Sequence, residues 1–302
     1  MKRLKKAKHP RRHRRRNTMK KLSTKIISVV LAVLTAALLF SSCASKTDEK
    51  LEYEITENNT IKITGYTDVS TRTEITVPDE IDGIPVTEIA DYSLFNADSL
   101  QKITIGKNVE TIGTWALTNN QRLKEFAVVD GNEYFTAVDG ILFSKDMKTL
   151  VAYPPARNIE FNSLTGESLN STTYEIPDGV EVIRSKAFYK CSNITEIKIP
   201  DSVTRIEEKS FFKVSALESL TLPKNLEYIG KDAFTGLEKV PEVTIPAGVT
   251  EIGEYAFYNC TSMLKITVEN EQSLENAGKK WYPTDNGSDL DGLMVNGEKY
   301  PK

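Results

Sequence analysis

Histidine is nearly absent from this 302-residue chain, and its two copies, His9 and His13, lie close to the N-terminus. Removal of the leader described below leaves no histidine, which excludes histidine acid–base chemistry, Ser-His and Cys-His nucleophiles and imidazole metal sites. A hydrolase that uses paired carboxylates is the remaining enzymatic alternative, but the scattered acidic residues form no recognisable site. We therefore predict a protein that is not an enzyme and uses no cofactor.

Cysteine is scarce as well, with Cys43, Cys191 and Cys260 as the only three copies. Cys191 and Cys260 occupy the same slot of the 23-residue repeat described below, three repeats apart. In a stack of strands, equivalent residues of coils three repeats apart are about 14 Å from each other along the stack axis. A disulfide requires Cα atoms within ~7 Å, so we predict two separate buried thiols.

Long apolar runs are limited to one segment, residues 26–40. Crossing a bilayer takes about 20 apolar residues, more than this segment provides, so a transmembrane anchor is the weaker interpretation. A basic stretch precedes this run, and the small residues Ser41 and Ser42 follow it before Cys43. That order is typical of a secretory signal peptide.

The end of this leader, Leu39-Phe40-Ser41-Ser42-Cys43, resembles a bacterial lipobox. In such leaders the cysteine thiol carries diacylglycerol, and cleavage leaves that cysteine as the first residue. We predict a lipoprotein-type signal peptide over 1–42, lipidation of Cys43 and a polar tether over 43–50, so that a lipid holds the chain at the membrane. An ordinary signal peptide with an incidental cysteine stays open, and Met19 is a second possible start.

Charge is distributed unevenly along the chain. The first 42 residues hold 13 of the 39 Lys and Arg residues and none of the 42 Asp and Glu residues. The rest of the chain therefore has 26 basic and 42 acidic residues, a formal charge of −16 in place of −3. An acidic surface disfavours nucleic acids and anionic lipids as partners. Because the arginine-rich run 11–16 lies in the leader, we predict no nucleic-acid binding.

A 23-residue repeat organises the second half of the chain. Three residue types recur every 23 residues. The series are Phe188, Phe211, Phe234 and Phe257; Ile183, Ile206, Ile229 and Ile252; and Pro177, Pro200, Pro223 and Pro246. A solenoid requires such regularity, because each coil must set its apolar groups above those of the coil below.

Within one repeat, residues 197–199 alternate apolar and polar side chains, which predicts a short strand with two inward residues. Pro200 ends it because proline cannot donate to a strand ladder. Val203 and Ile206 are three residues apart, which we interpret as a tight helical turn, and Phe211 closes onto the core. Leu94 and Leu117 take the phenylalanine slot in the early repeats.

Two interruptions break the spacing. A five-residue insertion within 79–86 contains the turn pair Asp82-Gly83, and a 48-residue gap separates the inward residues Phe126 and Tyr174. In that gap the apolar runs 141–143 and 150–153 predict a hairpin, within an insert that we assign to 130–173. The polar stretch 157–171 is expected to be an exposed loop.

The ends of a stack need covers, since open coils expose apolar faces and strand edges. We predict an N-terminal hairpin cap over 51–70 and a C-terminal cap over 270–302, where Trp281 could pack on the last coil. Spacing between Gly292 and Glu298 matches a calcium loop, but Gly287 at the first position lacks a carboxylate. A turn is the better interpretation there, and no metal site is predicted.

The unit Leu217–Phe234 and the segment Ile252–Cys260 resemble the BspA-like leucine-rich repeat, as does the insert Tyr134–Pro154. The resemblance spans about residues 52–268. It implies a curved solenoid on a bacterial surface, often anchored by lipid or to the wall, and some members are adhesins. We predict an α/β repeat solenoid: one leucine-rich-repeat domain over 51–302, with short parallel strands, turns or short helices on the convex side, a hairpin insert and hairpin caps.

The outward residues of the strands are expected to line the concave face of such a solenoid. Our candidate binding residues are Lys102, Thr104, Glu125, Glu175, Glu196, Lys198, Thr221, Glu242, Thr244, Lys265 and Thr267. They would suit a protein partner better than a glycan, because these columns carry no aromatic platform; for any single residue, an ordinary solvated sheet face is the simpler interpretation. Tyr134, Phe135 and Tyr153 form a second candidate surface, unless they pack onto the coil.

These observations favour a monomeric, lipid-anchored protein on the extracellular face of a bacterial membrane that binds an extracellular or host protein in the manner of an adhesin. The alternative is a structural protein that contributes to envelope organisation or cell–cell contact without a tight ligand.

Overall fold

A computed structural model describes residues 51–67, 72–157, 172–285, 288–289 and 291–300. All of them belong to one compact unit, Lys46–Lys302. The predicted signal peptide, Cys43 and the tether 43–50 lie outside the described residues, and so does most of the predicted polar loop.

Short strands separated by turns make up the described chain. In chain order they are β1 (Leu51–Ile55), β2 (Ile61–Tyr66), β3 (Glu74–Thr76), β4 (Glu80–Ile81), β5 (Ile84–Ile89), β6 (Lys102–Ile105), β7 (Thr111–Ile112), β8 (Glu125–Val128), β9 (Phe135–Val138), β10 (Ile141–Ser144), β11 (Thr149–Ala152), β12 (Thr172–Glu175), β13 (Val182–Ile183), β14 (Ile194–Lys198), β15 (Arg205–Ile206), β16 (Tyr228–Ile229), β17 (Glu242–Ile245), β18 (Glu251–Ile252), β19 (Lys265–Val268), β20 (Thr284–Asp285), β21 (Ser288–Asp289), β22 (Met294–Val295) and β23 (Glu298–Lys299). One four-residue helix, α1 (Gln272–Glu275), is present in this part of the chain.

The first side of each coil is a strand that pairs in parallel with the same strand of the next coil. The pairs are β3 with β6, β6 with β8, β12 with β14, and β17 with β19. Their register places Ile103 beside Phe126 and Val243 beside Ile266, all four buried. The inward column predicted from the repeat is therefore confirmed at these positions.

The second side is also a strand ladder. β13, β15, β16 and β18 pair in parallel, so that Ile183, Ile206, Ile229 and Ile252 lie beside one another and are fully buried. The helical turn predicted around Val203 and Ile206 is therefore wrong. Two apolar residues three positions apart fit a helical turn and a turn that leads into a strand equally well. Hydrogen bonds to the neighbouring coil decide between these two conformations.

The third side of each coil is made of turns joined by backbone hydrogen bonds to the next coil. The N–H groups of Lys186, Phe188 and Lys190 donate to carbonyls of the following coil at 3.0, 2.7 and 2.8 Å. Lys186 and Lys209 hold positive φ angles of 66° and 56° there, a conformation uncommon outside glycine. With a single short helix in the described residues, the predicted α/β class is corrected to a β-solenoid of the leucine-rich-repeat type, with turns on this side.

The four repeated phenylalanines form one continuous row. Ring centroids of Phe188 and Phe211, Phe211 and Phe234, and Phe234 and Phe257 are 4.9, 5.3 and 5.2 Å apart, with planes within 12° of parallel. All four side chains are fully buried. The stacking predicted from the 23-residue spacing is confirmed, and the row is the centre of the larger core.

The insert contains the predicted hairpin. β10 pairs antiparallel with both β9 and β11, and β11 then pairs in parallel with β13. The insert thus joins the second ladder, where Leu150 lies beside Ile183. Tyr153 continues the aromatic row, since its ring lies 5.1 Å from that of Phe188.

One slot in each coil, three residues after the phenylalanine position, holds a small or medium buried side chain. Cys191 and Cys260 occupy it as free, buried thiols, as predicted. Asn120 is its buried polar member: its Oδ1 accepts the N–H of Ala97 at 2.7 Å, and its Nδ2 donates to the carbonyls of Leu94 and Leu117 at 2.9 and 3.1 Å. The amide therefore satisfies backbone groups of two coils.

We expect Asn120→Ala to lower the free energy of unfolding by about 1–3 kcal/mol, because the buried N–H of Ala97 loses its acceptor. Urea denaturation measures the effect. Thr118→Ala removes a partly buried hydroxyl that donates within its own turn, and it should cost less than about 1 kcal/mol. Equal effects of the two substitutions would contradict the bridging role of Asn120.

At the N-terminal end, β1 and β2 pair antiparallel, and β2 pairs in parallel with β5. The predicted turn at Asp82-Gly83 joins the antiparallel strands β4 and β5, and both residues have positive φ angles. At the other end, β22 pairs with β19 and β23. Trp281 is buried with its ring centroid 6.4 Å from that of Phe257, so the predicted contact with the last coil is confirmed.

Candidate functional site

The predicted binding residues project outward from the first strand ladder, a surface that we call the strand face. Eight of them are exposed: Glu125, Glu175, Glu196, Lys198, Thr221, Glu242, Thr244 and Lys265. Lys102, Thr104 and Thr267 are half-buried. Alternation along each strand explains this placement, because the residues between them point into the core.

Opposite charges meet across neighbouring coils on the strand face. Lys102 Nζ lies 2.7 Å from Glu125 Oε1, Lys265 Nζ lies 2.8 Å from Glu242 Oε2, and a looser pair joins Lys198 and Glu175 at 3.7 Å. The hydrogen bond that Lys102 donates to Glu125 raises the pKa of the Lys102 ammonium. Such exposed pairs contribute about 0–1 kcal/mol each, so they add little to the stability of the face.

A cleft of about 440 Å³ opens on the strand face where the first ladder is interrupted. Residues 218–222 occupy the strand position of their coil but form no strand, between β14 and β17. Four predicted residues line the cleft: Thr221, Glu242, Thr244 and Lys265. The buried side chains of Leu222 and Val243 also line it. The surface of the cleft is therefore formed mainly by polar and charged groups.

The second candidate surface, the aromatic residues of the insert, is mostly part of the core. Phe135 and Tyr153 are buried, with 8% and 3% of their surface exposed, whereas Tyr134 is 45% exposed. The packing interpretation therefore holds for Phe135 and Tyr153, and only Tyr134 is available to a partner.

A row of partly exposed aromatic rings on the turn side is a feature that sequence reasoning missed. Trp115 stacks on Tyr92 at 6.0 Å and contacts Tyr189 edge-to-face at 5.1 Å, and Tyr189 stacks on Phe212 at 5.1 Å. The 23-residue spacing within each stacked pair was a signal that could have revealed it.

Few groups suited to covalent or metal chemistry occur in this structure. No cluster of three or more metal-binding side chains forms among the described residues. Burial raises the pKa of the Cys260 thiol to about 12 and that of Cys191 as well, so neither provides a thiolate at neutral pH. Helices long and apolar enough to cross a bilayer are also lacking from the part of the chain that the structure describes.

Solved structures of bacterial leucine-rich-repeat proteins are similar to this chain at low identity. A leucine-rich repeat protein of Eubacterium ventriosum is 15% identical, with 85% of this chain and 95% of that chain covered and a TM-score of 0.47. A leucine rich cell surface protein of Faecalibacterium prausnitzii is 17% identical (86% and 99% covered, TM-score 0.45). The pneumococcal vaccine antigen PcpA is 22% identical (75% and 68% covered, TM-score 0.49).

Comparison with curated protein sequences finds no match. The profile of the BspA type leucine rich repeat region, in contrast, matches six copies over residues 38–150 and 157–282. These ranges include every strand from β2 to β19 except the second half of β11 in the insert hairpin. The sequence profile, the 23-residue coils and the stacked phenylalanine row agree, and the chain belongs to the BspA-type leucine-rich-repeat family.

Proposed function

We propose that this protein is displayed on the bacterial surface and binds an extracellular protein partner through the strand face. The cleft beside residues 218–222 is the observation that carries the proposal, because it gathers exposed threonines and an acid–base pair in one concave place. Threonine hydroxyls and paired charges can hydrogen-bond a partner's backbone.

The proposed activity is non-enzymatic and adhesin-like, and the partner is an extracellular or host protein. The extended, regular strand face favours a partner that covers several coils, as solenoids commonly do. The alternative is a structural protein of the envelope without a tight ligand, and the same experiment separates the two.

Surface plasmon resonance of the purified chain against host matrix proteins and mucins tests this proposal. We expect saturable binding that Thr221→Arg combined with Thr244→Arg weakens by about tenfold or more, since two bulky cations would occupy the cleft. Thr250→Arg, an equally exposed threonine away from the strand face, is the matched control and should leave binding unchanged. Binding that is insensitive to the double substitution would exclude the strand face, and no binding to any of these proteins would favour the envelope alternative.

We also propose that a lipid on Cys43 holds the protein at the membrane after removal of residues 1–42. The order of basic stretch, apolar run and Leu39-Phe40-Ser41-Ser42-Cys43 supports this proposal. Cys43→Ser should block processing or move the protein from the membrane fraction to the medium, because the serine hydroxyl cannot replace the alkylated thiol. Fractionation with metabolic labelling by a lipid precursor measures both effects, and unchanged membrane association of Cys43→Ser would favour a retained apolar anchor.

The two ends of the stack support a monomer in this proposal. The antiparallel pair β1–β2 precedes the first coils and the pair β22–β23 follows the last ones. We propose that each pair covers the adjacent open coil as a cap. Covered ends would leave no continuous strand edge for a second copy to extend.

A further inference from the structure

The turn side of the solenoid is a ladder in which each coil donates backbone N–H groups to the next coil. Lys209, Phe211 and Lys213 donate to the carbonyls of Lys231, Ala233 and Thr235 at 2.9, 2.8 and 2.7 Å. The same alternate positions donate in the early coils, where Tyr92, Leu94 and Asn96 bond to residues 114, 116 and 118. We call the turn segment that one coil contributes to this ladder a rung. The donating N–H groups of each rung point towards the C-terminal end of the stack.

One rung of this ladder is missing at the insert. The next N–H groups in the series belong to Trp115, Leu117 and Asn119, and they donate to no backbone carbonyl of the described residues. On this side the insert has three turn residues, 155–157, where the coil of β13 has six, 185–190. A notch therefore lies between the turn of residues 113–118 and that of residues 184–190, which meet at the Trp115 and Tyr189 rings, 5.1 Å apart.

The notch is a cleft of about 230 Å³ with two unlike walls. One wall is the turn 113–118, with its free N–H groups, and Val151 and Ala152 of β11 also line the cleft. The opposite wall is formed by Arg184, Ser185 and Lys186, and Glu207 lines the cleft beside them. The carbonyl of Ser185 accepts no backbone N–H from the described residues, although the equivalent carbonyl of the next coil, that of Glu208, does.

Cations are concentrated at this notch. The side chain of Lys186 is 3% exposed; its Nζ lies 3.0 Å from Ser185 Oγ and 4.6 Å from the centre of the Trp115 ring. Arg184 donates to the carbonyl of Ile112, and Lys190 Nζ donates to Asn119 Oδ1 at 2.8 Å. These side chains bridge the gap where the backbone ladder is absent.

The nearby carboxylates are engaged mainly by other groups. Glu208 lies 3.9 Å from Lys186 but only 2.8 Å from Lys209, and Glu207 accepts the N–H of Ser185 at 2.9 Å and lies 3.5 Å from Arg205. Burial lowers the pKa of Lys186. The ammonium is removed from water, and the nearby carboxylates offset that loss only in part. Successive N–H groups in turns with positive φ, such as Trp115 at 63°, can form concavities that favour anions.

We propose that the notch binds a short segment of an acidic peptide, which takes the place of the missing rung. Carbonyls of the peptide accept the N–H groups of Trp115 and Leu117, which have no backbone acceptor among the described residues. The N–H of the peptide donates to the carbonyl of Ser185, and its carboxylate faces Lys186. A peptide fits better than a charged sugar, because the gap is the one that a single rung of backbone would fill, with donors on one wall and an acceptor on the other. This site lies on the turn side, and its residues are distinct from those of the strand face.

Fluorescence anisotropy of the purified chain with a fluorescein-labelled five-residue peptide of alternating glycine and glutamate tests the proposal. We expect saturable binding that the lysine-containing analogue of the peptide does not show. Lys186→Met should weaken binding by about tenfold or more, because a charge-assisted contact is lost. Ala152→Leu should weaken it similarly by filling the notch while all the cations remain.

Lys213→Met is the matched control, since Lys213 occupies the slot of Lys190 one coil further on, where the ladder is intact. Its ammonium lies over the Phe212 ring, away from the notch, so binding should stay within about twofold of the parent chain. Melting temperatures of all three variants show whether each is folded, and Ala152→Leu decides the result if Lys186→Met does not fold. Absence of saturable binding at millimolar peptide, equal loss in the Lys213→Met control, or displacement of the peptide by oligogalacturonate at lower concentration than by unlabelled peptide would each overturn the proposal.

Discussion

Ile229→Asp is expected to unfold the central coils, with a loss of more than about 4 kcal/mol in the free energy of unfolding. Ile229 is fully buried and lies beside Ile206 and Ile252 in the second ladder. A carboxylate at this position would have apolar neighbours above and below and no cation within the row, so it would have to be buried unpaired or protonated. Because each coil is supported only by its neighbours, loss of one central coil also destabilises the coils on both sides.

Thermal melts followed by circular dichroism measure this effect, and two matched variants isolate it. Ile229→Val keeps the apolar, β-branched character and should cost only about 0.5–1.5 kcal/mol. Lys198→Glu places the same acidic charge on the exposed strand face, where its cost should stay below about 1 kcal/mol. Similar melting temperatures for Ile229→Asp and Lys198→Glu would show that the inward and outward positions are assigned wrongly.

Phe211→Ala is expected to lower the free energy of unfolding by about 3–5 kcal/mol. The Phe211 ring is stacked between those of Phe188 and Phe234, at centroid distances of 4.9 and 5.3 Å. Truncation leaves a cavity inside the row that the coils cannot close, because strand ladders and turns on all sides hold their spacing. The lost ring contacts on two faces add to the lost apolar burial.

Phe211→Leu is the control for this prediction, since leucine occupies the same slot at Leu94 and Leu117 and is buried there. It should cost less than about 1.5–2 kcal/mol because most of the volume is kept. Urea denaturation of both variants provides the comparison. A change smaller than about 1 kcal/mol for Phe211→Ala would mean that the phenylalanine row does not support the stack.

The coil length and the inward residues could be predicted from sequence, because stacking demands the same side chain at the same step of every coil. The aligned Phe188 and Phe211 follow from their spacing alone, and so does the separation of Cys191 from Cys260. The hairpin of β10 and β11 follows from two short apolar runs of strand-forming residues that flank a turn.

The second ladder and the turn side could not be predicted, because hydrogen bonds between coils decide them. Arg205-Ile206 is a strand because it pairs with Tyr228-Ile229 of the following coil, a contact that local spacing does not reveal. Lysine has no preference for positive φ, yet Lys186 and Lys209 adopt it at a turn position that also has positive φ at Tyr92 and Trp115 in other coils. Tertiary bonds override local preference at both places.

The candidate site was predictable only in part, for a similar reason. Alternation along the strands placed Thr221, Thr244 and Lys265 on the outer face. The cleft that gathers them depends on the loss of strand pairing at 218–222, where the sequence still carries the apolar alternation of a strand. The notch beside Lys186 depends on the course of the insert along the turn side. The 48-residue spacing between Phe126 and Tyr174 indicated an interruption, but it did not show which side of the coil would change.

Cross-linking between adjacent coils tests the in-register stack most directly. Thr244 and Thr267 lie opposite each other in β17 and β19, so the pair Thr244→Cys and Thr267→Cys should form a disulfide on mild oxidation, with Cα atoms within the ~7 Å limit. The offset pair Thr244→Cys and Glu269→Cys is two residues out of register and should remain reduced. Mass spectrometry of the digested protein measures both, and preferential cross-linking of the offset pair would contradict the 23-residue stacking of coils.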